Sequence, residues 1–275
     1  MKKFNVLKNI EFEENSIDIS QIMEMEKYLP KEEDEVIQKQ VNNISFCLNK
    51  MKKLEKIYFN GTYKAGKILE KCDNSFLEQI KTYYFSYCKI SNKCIEITKK
   101  MKNLVSFYLF RVPLIDMIKN MKHLSKFSIS ENDIGSNSII QFVKNISENC
   151  HELTILDISK TIESHKEGLY DLWEYLSNIY NLNIFKCQDN YINAKDMLLF
   201  KNKLSNNFIM LNEIDFSYNR DISVEVLNDF LPEFQKYFNH AEDLAFWGVG
   251  TLNSEELRKF RDMFPGRIRF RNKRK

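Results

Sequence analysis

The amino-acid sequence predicts an α/β solenoid, with a parallel β-sheet along one side and helices returning the chain along the other. Three observations predict it. Apolar residues stand at the first, fourth, sixth and eleventh positions of a frame that begins at Leu124 and holds Phe127, Ile129 and Ile134, with Asn132 at its ninth position. The frame recurs, with starts at 104, 124, 153, 182, 211 and 241 separated by 20, 29, 29, 29 and 30 residues. Between the later starts, apolar residues recur at three- and four-residue spacing, the period of one helical face. A strand and a helix repeated at such an interval form a unit that buries its apolar side only by stacking on its neighbours.

The copies follow in chain order. Leu54 leads Ile57, Phe59 and Thr62; Ile80 leads Tyr83, Phe85, Cys88 and Ile90; Leu104 leads Phe107, Leu109, Val112 and Leu114. Leu153 leads Leu156, Ile158 and Thr161; Leu182 leads Phe185, Cys187, Asn190 and Ile192; Leu211 leads Ile214, Phe216 and Asn219. This frame resembles the leucine-rich repeat family over most of the chain, and the longer spacing resembles its ribonuclease-inhibitor-like subclass. The resemblance implies a horseshoe with a concave parallel sheet and convex helices. It also implies binding rather than catalysis, since proteins of this type act as inhibitors, adaptors, ubiquitin-ligase substrate receptors and host-directed bacterial effectors. No F-box-like helix set is evident in 1–53.

Residues 1–53 read as an N-terminal cap. Leu7, Ile10, Phe12, Asn15 and Ile17 fit the frame once more, 47 residues before the next start. An acidic loop, Glu32-Glu33-Asp34-Glu35, and a helix carrying Val36, Val41, Ile44 and Leu48 fill the interval, giving a cap with two helices. Residues 54–264 are the repeats. Ile139, Phe142, Val143 and Ile146 mark one helix, Leu169, Leu172, Trp173, Leu176 and Ile179 a second, and Val226, Leu227, Phe230, Leu231 and Phe234 a third. Pro232 bends or trims that third helix. The short repeat from 104 to 124 has room only for a brief helix over 115–120, so curvature should tighten there. Residues 265–275 form a closing strand and basic tail, with Ile268 and Phe270 alternating with Arg267, Arg269 and Arg271. All three segments make one continuous solenoid domain.

Net charge is +3, which implies no whole-molecule attraction to nucleic acid or membrane. From Arg258 to Lys275 nine Lys/Arg face one acid, a local net of +8, leaving −5 for the rest. Of the six cysteines, Cys88 falls at the asparagine position and Cys187 at a core strand position, so both read as small buried hydrophobes. No CxxC pair occurs, and reduced thiols in the cytoplasm are expected. No apolar run of signal-peptide or membrane-span length is present. Delivery to a host cell without a cleavable apolar signal is compatible with this.

The chemical motifs dissolve on inspection. Gly61-Thr62-Tyr63-Lys64-Ala65-Gly66-Lys67 nearly matches a phosphate-binding loop, but Ile68 stands where the magnesium-binding hydroxyl belongs. Leu153-Thr154-Ile155-Leu156-Asp157 imitates the apolar run ending in a metal-binding aspartate, yet both segments sit on the repeat frame. His123, His151 and His240 lie one or two residues before a repeat start, which suits turns, and His165 stands apart. With no nucleophile motif, an enzyme is not expected, nor any cofactor or metal.

Because strand side chains alternate, the third, fifth, seventh and eighth frame positions should face the concave side. Equal positions on neighbouring strands stack in columns ~4.8 Å apart. The N-terminal repeats then gather Tyr58, Tyr84, Tyr87, Tyr108, Phe110 and Arg111 into an aromatic patch. Further along, Asp157, Asp189, Glu213, Asp215 and Asp243 form an acidic stripe, with Tyr218 and Trp247 beside it. Two readings stand. Tyrosines favour strands and ladder across them. Alternatively Tyr, Trp and Arg are the residues that carry protein–protein hot spots, worth about 2 kcal/mol or more each. The expected partner is therefore a protein on the concave face, bound by a monomer. The basic C-terminus reads either as edge protection or as a contact for phosphates or an acidic partner, through Arg267, Arg269, Arg271 and Lys273. Nucleic acid is the weaker reading, since only Phe270 is interleaved with those arginines.

Overall fold

The computed structural model describes residues 16–18, 34–60, 65–86, 96–110, 121–132, 134–162, 169–250 and 252–270, with the backbone alone for 16–18, 34–37 and 205–207. The chain divides into two compact units, Met1–His123 and Leu124–Lys275.

In the first unit, β1 (Ser16–Asp18), β2 (Lys56–Asn60), β3 (Thr82–Ser86) and β4 (Ser106–Phe110) pair in parallel and in chain order. Helices α1 (Asp34–Lys50), α2 (Ala65–Glu70) and α3 (Asn74–Gln79) lie between them in sequence. The frame predicts the register: Ile57 pairs with Tyr83 and Tyr83 with Phe107, all fourth positions. These residues are fully buried, as are the sixth positions Phe59 and Phe85. Their rings stack across strands, Phe59 on Phe85 at 5.4 Å and Tyr83 on Phe107 at 5.7 Å. On α1, Val41, Ser45 and Leu48 share the buried face, and the Ser45 hydroxyl reaches the Ile68 carbonyl at 2.8 Å, tying α1 to α2.

One register differs from the expectation. Ile17, read as an eleventh position, pairs with Ile57 and so occupies the fourth. The place assigned to Ile10 belongs to Ile17, whose alternation with its neighbours mimics the frame seven residues late. Ile10 and Phe12, like the brief helix expected over 115–120, fall outside the described residues.

The second unit carries β5 (Lys126–Ser128), β6 (Ile155–Asp157), β7 (Ile184–Lys186), β8 (Glu213–Asp215), β9 (Asp243–Ala245) and β10 (Ile268–Arg269), again parallel and in chain order. Phe127, Leu156, Phe185, Ile214, Leu244 and Ile268 align as fourth positions. The helices are α4 (Ser136–Asn149), α5 (Tyr170–Leu176), α6 (Ala194–Asn207), α7 (Val224–Tyr237) and α8 (Ser254–Met263). The apolar stripes of α4, α5 and α7 bury the residues the sequence assigns to them, Val226 excepted. Pro232 does not trim α7, which continues to Tyr237 with Pro232 on its exposed side. Two helices escape the sequence reading. In α6 the stripe is Met197, Phe200 and Leu204, and in α8 a single aromatic, Phe260, is buried. Both begin with an asparagine capping box, Asn193 with Asp196 and Asn253 with Glu256, the signal that could have found them.

Inside this unit runs a buried asparagine ladder. Asn190 accepts from the Thr161 and Ile162 amides at 2.7 and 3.0 Å and donates to the Ile158 carbonyl at 2.7 Å. Asn219 repeats the pattern one repeat on, accepting from the Asn190 and Ile192 amides and donating to the Cys187 and Phe216 carbonyls. A turn needs its backbone groups satisfied when it leaves the strand and enters the core, and a primary amide offers both donors and acceptors. The ninth position is asparagine for that reason.

Candidate functional site

The strand faces of the two units are built differently. In the first, the fifth positions Tyr58, Tyr84 and Tyr108 stand in register on three adjacent strands. Neighbouring rings are 5.9 Å apart at both steps and tilted by 41° at each. All three are half-buried, so each ring shields its neighbour and keeps an outer edge in solvent. Burial raises the Tyr108 phenol above its ordinary range, with the Ser106 hydroxyl opposing and Tyr58 adding to the rise. Phe110, the seventh frame position and the last residue of β4, lies half-buried two residues from Tyr108. Tyr87 and Arg111 lie outside the described residues. The structure therefore brings together Tyr58, Tyr84, Tyr108 and Phe110 of the expected patch.

In the second unit the outward positions are occupied by backbone chemistry. Asp157 accepts from the Ser159 amide at 3.0 Å, and Asp215 from the Ser217 amide at 2.9 Å. Their second oxygens accept from the Ser128 hydroxyl at 3.2 Å and the Gln188 amide at 2.6 Å. The serine hydroxyls then take the next amide along, Ser159 from Gln188 at 3.2 Å and Ser217 from Trp247 at 3.0 Å. An aspartate two residues before a turn amide closes a local ring that ends the strand. Seventh-position serines, expected on the surface, are buried: Ser159 is 8% exposed and Ser217 1%. The Asp-x-Ser spacing at 157–159 and 215–217 was the available signal.

The acidic stripe is also interrupted. Lys186 stands between Asp157 and Asp215 in register, and Ala245 follows Asp215. Asp243 is held by Arg269, whose Nε lies 2.6 Å from Oδ1 while Nη2 meets Oδ2. The same guanidinium sits 5.4 Å from the centre of the Trp247 ring. Arg267 donates to the carbonyls of Asn239 and Ala241. Of the basic tail, Arg267 and Arg269 thus hold the end of the sheet; Arg271 and Lys273 lie outside the described residues.

The eighth positions share a feature the sequence reading missed. Glu131, Lys160, Asp189 and Tyr218 adopt left-handed backbone, with φ of 57°, 53°, 50° and 65°, and Gly248 continues the series at 68°. Only Asp and Gly are at ease there. Tyr218 is 44% exposed and lies over Gly248, where a methyl group would stand 3.1 Å from Cδ1. The glycine in this column marked the conformation for all five.

No protein-family model matches the chain, and no curated protein matches it either. Solved structures do. The TLR13–ssRNA13 complex matches with a TM-score of 0.51 at 12% identity, over 84% of this chain and 30% of that one. The fold is a leucine-rich repeat. Human 5T4 (Wnt-activated inhibitory factor 1, trophoblast glycoprotein) matches with a TM-score of 0.47 at 10% identity, over 70% of each chain. The present chain therefore spans less than a third of the TLR13 chain.

Within this leucine-rich repeat, the other sequence candidates are quiet. Ile68, at the false phosphate loop's hydroxyl position, is fully buried in α2. His123, His151 and His240 are exposed at helix-to-strand turns. Cys150 and Cys187 are buried singly, and burial pushes the Cys150 thiol up to about 12 and Cys187 further. Among the described residues no group of three His, Cys, Asp or Glu could hold a metal ion. Among the same residues no helix is long and apolar enough to cross a membrane.

Proposed function

We propose that the chain is a non-enzymatic protein-binding module whose ligand lies on the strand face, the concave face of the predicted solenoid. The observation that carries this reading is the tyrosine column of Tyr58, Tyr84 and Tyr108, extended by Phe110. Tyrosines presented as a rigid ladder lose little side-chain entropy on binding and bury large area, the properties of hot-spot residues. Tyr87 and Arg111, adjoining in sequence, complete the proposed patch. In the second unit the proposed contact is carried by Asp189, Tyr218 and Trp247, while Asp157 and Asp215 hold the strand ends beneath them. The reading places the chain in the cytoplasm, where lone thiols such as Cys150 and Cys187 stay reduced; an adaptor or a host-directed effector would both use such a face.

The test is capture from lysate by the full chain and by Tyr84→Ala/Tyr108→Ala, followed by rebinding of the purified partner. Loss of about 2 kcal/mol or more, some 30-fold in affinity, is expected with little change in melting temperature. Equal affinity of both proteins contradicts the reading.

A nucleic-acid role through the basic C-terminus is the second reading. TLR13 appears in complex with single-stranded RNA, but here Arg267 and Arg269 already serve the chain itself. Arg267→Ala/Arg269→Ala should leave oligonucleotide retention in a gel unchanged; loss of retention would favour this second reading.

A further inference from the structure

Charge is segregated along the first unit in a way that net charge conceals. Residues 50–122 contain sixteen Lys/Arg against six Asp/Glu, a net of +10. The structure gathers much of this onto one rim. Three successive helix-to-strand turns are joined edge to edge. The Lys81 amide donates to the Glu55 carbonyl at 2.8 Å, and the Val105 amide to the Lys81 carbonyl at 2.8 Å. Gln79 Nε2 reaches the Met51 carbonyl at 2.6 Å, and Asn103 Nδ2 the Glu78 carbonyl at 2.8 Å. On these turns, residues 50–56, 78–81 and 96–102 carry eight lysines and three glutamates. Lys52, Lys53, Lys56, Lys100 and Lys102 are exposed. The three glutamates pair with Lys81 at 2.5 Å, Lys102 at 3.7 Å and Lys99 at 2.5 Å, so positive charge remains in excess.

This rim borders the tyrosine column. Lys56 is two residues from Tyr58 on the same strand and the same face, and Lys81 precedes Tyr84 by three residues, about 10 Å at ~3.3 Å per residue. We propose that the ligand of the tyrosine column is an acidic protein segment, its aromatic and aliphatic side chains on Tyr84 and Tyr108 and its carboxylates on the lysine rim. The proposal rests on the protein-binding reading above and specifies its partner.

Two observations favour acidic protein over nucleic acid. The eight cations of the rim are all lysine, Arg111 being the one arginine of 50–122 and lying off those turns in sequence, so the rim lacks the planar fork that reads bases and phosphates in pairs. Neighbouring tyrosine rings are 5.9 Å apart. A base seated between two rings needs about 7 Å, twice the ~3.5 Å contact distance between carbons. The column offers edges to a protein side chain rather than slots for bases. Lysine charge near an interface chiefly speeds and orients encounter with an opposite charge, and its effect falls with salt.

The experiment uses the full chain and two fluorescent probes of equal length, a Glu/Asp-rich twelve-residue peptide containing two leucines and a twelve-nucleotide oligouridylate. Anisotropy titrations at 50 and 300 mM NaCl compare wild type, Lys52→Glu/Lys53→Glu/Lys100→Glu, and Tyr84→Ala/Tyr108→Ala. The proposal expects the peptide to bind wild type more tightly than the oligonucleotide, with affinity falling at least tenfold at high salt and at least tenfold in the lysine variant. Both tyrosine and lysine variants losing the peptide supports the column and the rim together. Loss in the lysine variant alone supports the rim and overturns the tyrosine reading. Tighter binding of the oligonucleotide, no binding of the peptide, or unchanged peptide affinity in the lysine variant overturns the acidic-partner proposal, whatever the lysate capture shows.

Discussion

The two units solve the same folding problem with opposite outward surfaces. In the first unit the β2, β3 and β4 strands run five residues each, and their fifth positions are all tyrosine. In the second, β5 to β9 run three residues each, and the chain leaves the sheet early through turns tied by Asn190, Asn219, Asp157, Asp215 and their serine neighbours. The first unit has Thr62, Cys88 and Val112 at the ladder position. Regular side-chain hydrogen bonding therefore accompanies short strands and polar outer positions. In the first unit, where the ninth position is not asparagine, β2, β3 and β4 pair over five residues and their fifth positions are tyrosine. Polar residues that look available in a sequence column are thus the ones most committed to structure.

The largest expected effect breaks the second unit's side of this comparison. Asn190→Ala strands two buried amides and one carbonyl, and each unsatisfied buried group costs about 1–3 kcal/mol, so a loss of roughly 3–5 kcal/mol is expected in urea unfolding. A change below 1 kcal/mol would mean that the ladder is incidental. Next, Tyr84→Ala/Tyr108→Ala should weaken partner binding by about 2 kcal/mol or more while shifting stability far less, since the rings are only half-buried.

Gly248→Ala should cost about 1–2 kcal/mol, from the left-handed φ of 68° and the ring of Tyr218 at 3.1 Å. Its mirror image is Lys160→Gly, where φ is 53° and the side chain is exposed. Release of backbone strain should offset the loss of the exposed ion pair with Glu131, giving a change within about 1 kcal/mol and leaning towards stability. Thermal melts of both variants check the pair; destabilisation by Lys160→Gly equal to that of Gly248→Ala would contradict the shared conformation. The smallest effect concerns thiols. With Cys150 pushed up to about 12 by burial, its thiolate is scarce at pH 8, so iodoacetamide should modify it only after unfolding. Rapid alkylation in the folded chain would show the site to be open.

Much of the fold was legible because its cause is periodic. Fourth and sixth positions are apolar wherever a strand meets the core, and that spacing matches the register from Ile57 to Phe107 in the first unit and from Phe127 to Ile268 in the second. Ile17 reads as an eleventh position because Leu7, Ile10, Phe12 and Asn15 complete that frame. At its observed offset only Ile17 and Ile19 fit and Glu14 holds the first position; pairing with Ile57 decides between them. Helices α6 and α8 carry narrow apolar stripes, Met197, Phe200 and Leu204 in one and Phe260 alone in the other, so their capping boxes are the clearer sign. For the site, residue type was legible and commitment was not. Asp157 and Tyr84 both occupy fifth positions with a serine two residues on, yet one closes a turn and the other faces outward, a difference set by the short Asp157 carboxylate that accepts from the Ser159 amide. Left-handed backbone at Lys160 and Tyr218 leaves no trace in those residue types; only Gly248 in their column betrays it.

On the proposed reading, the first unit's outward face binds while Asp157 and Asp215 of the second unit support the fold. Measuring partner affinity and melting temperature together for Tyr84→Ala/Tyr108→Ala and Asp157→Ala/Asp215→Ala tests it most directly. A crossover is expected, in which the tyrosine variant loses affinity but keeps its melting temperature and the aspartate variant does the reverse. An aspartate variant that melts like wild type and fails to bind, beside a tyrosine variant that binds normally, would contradict it.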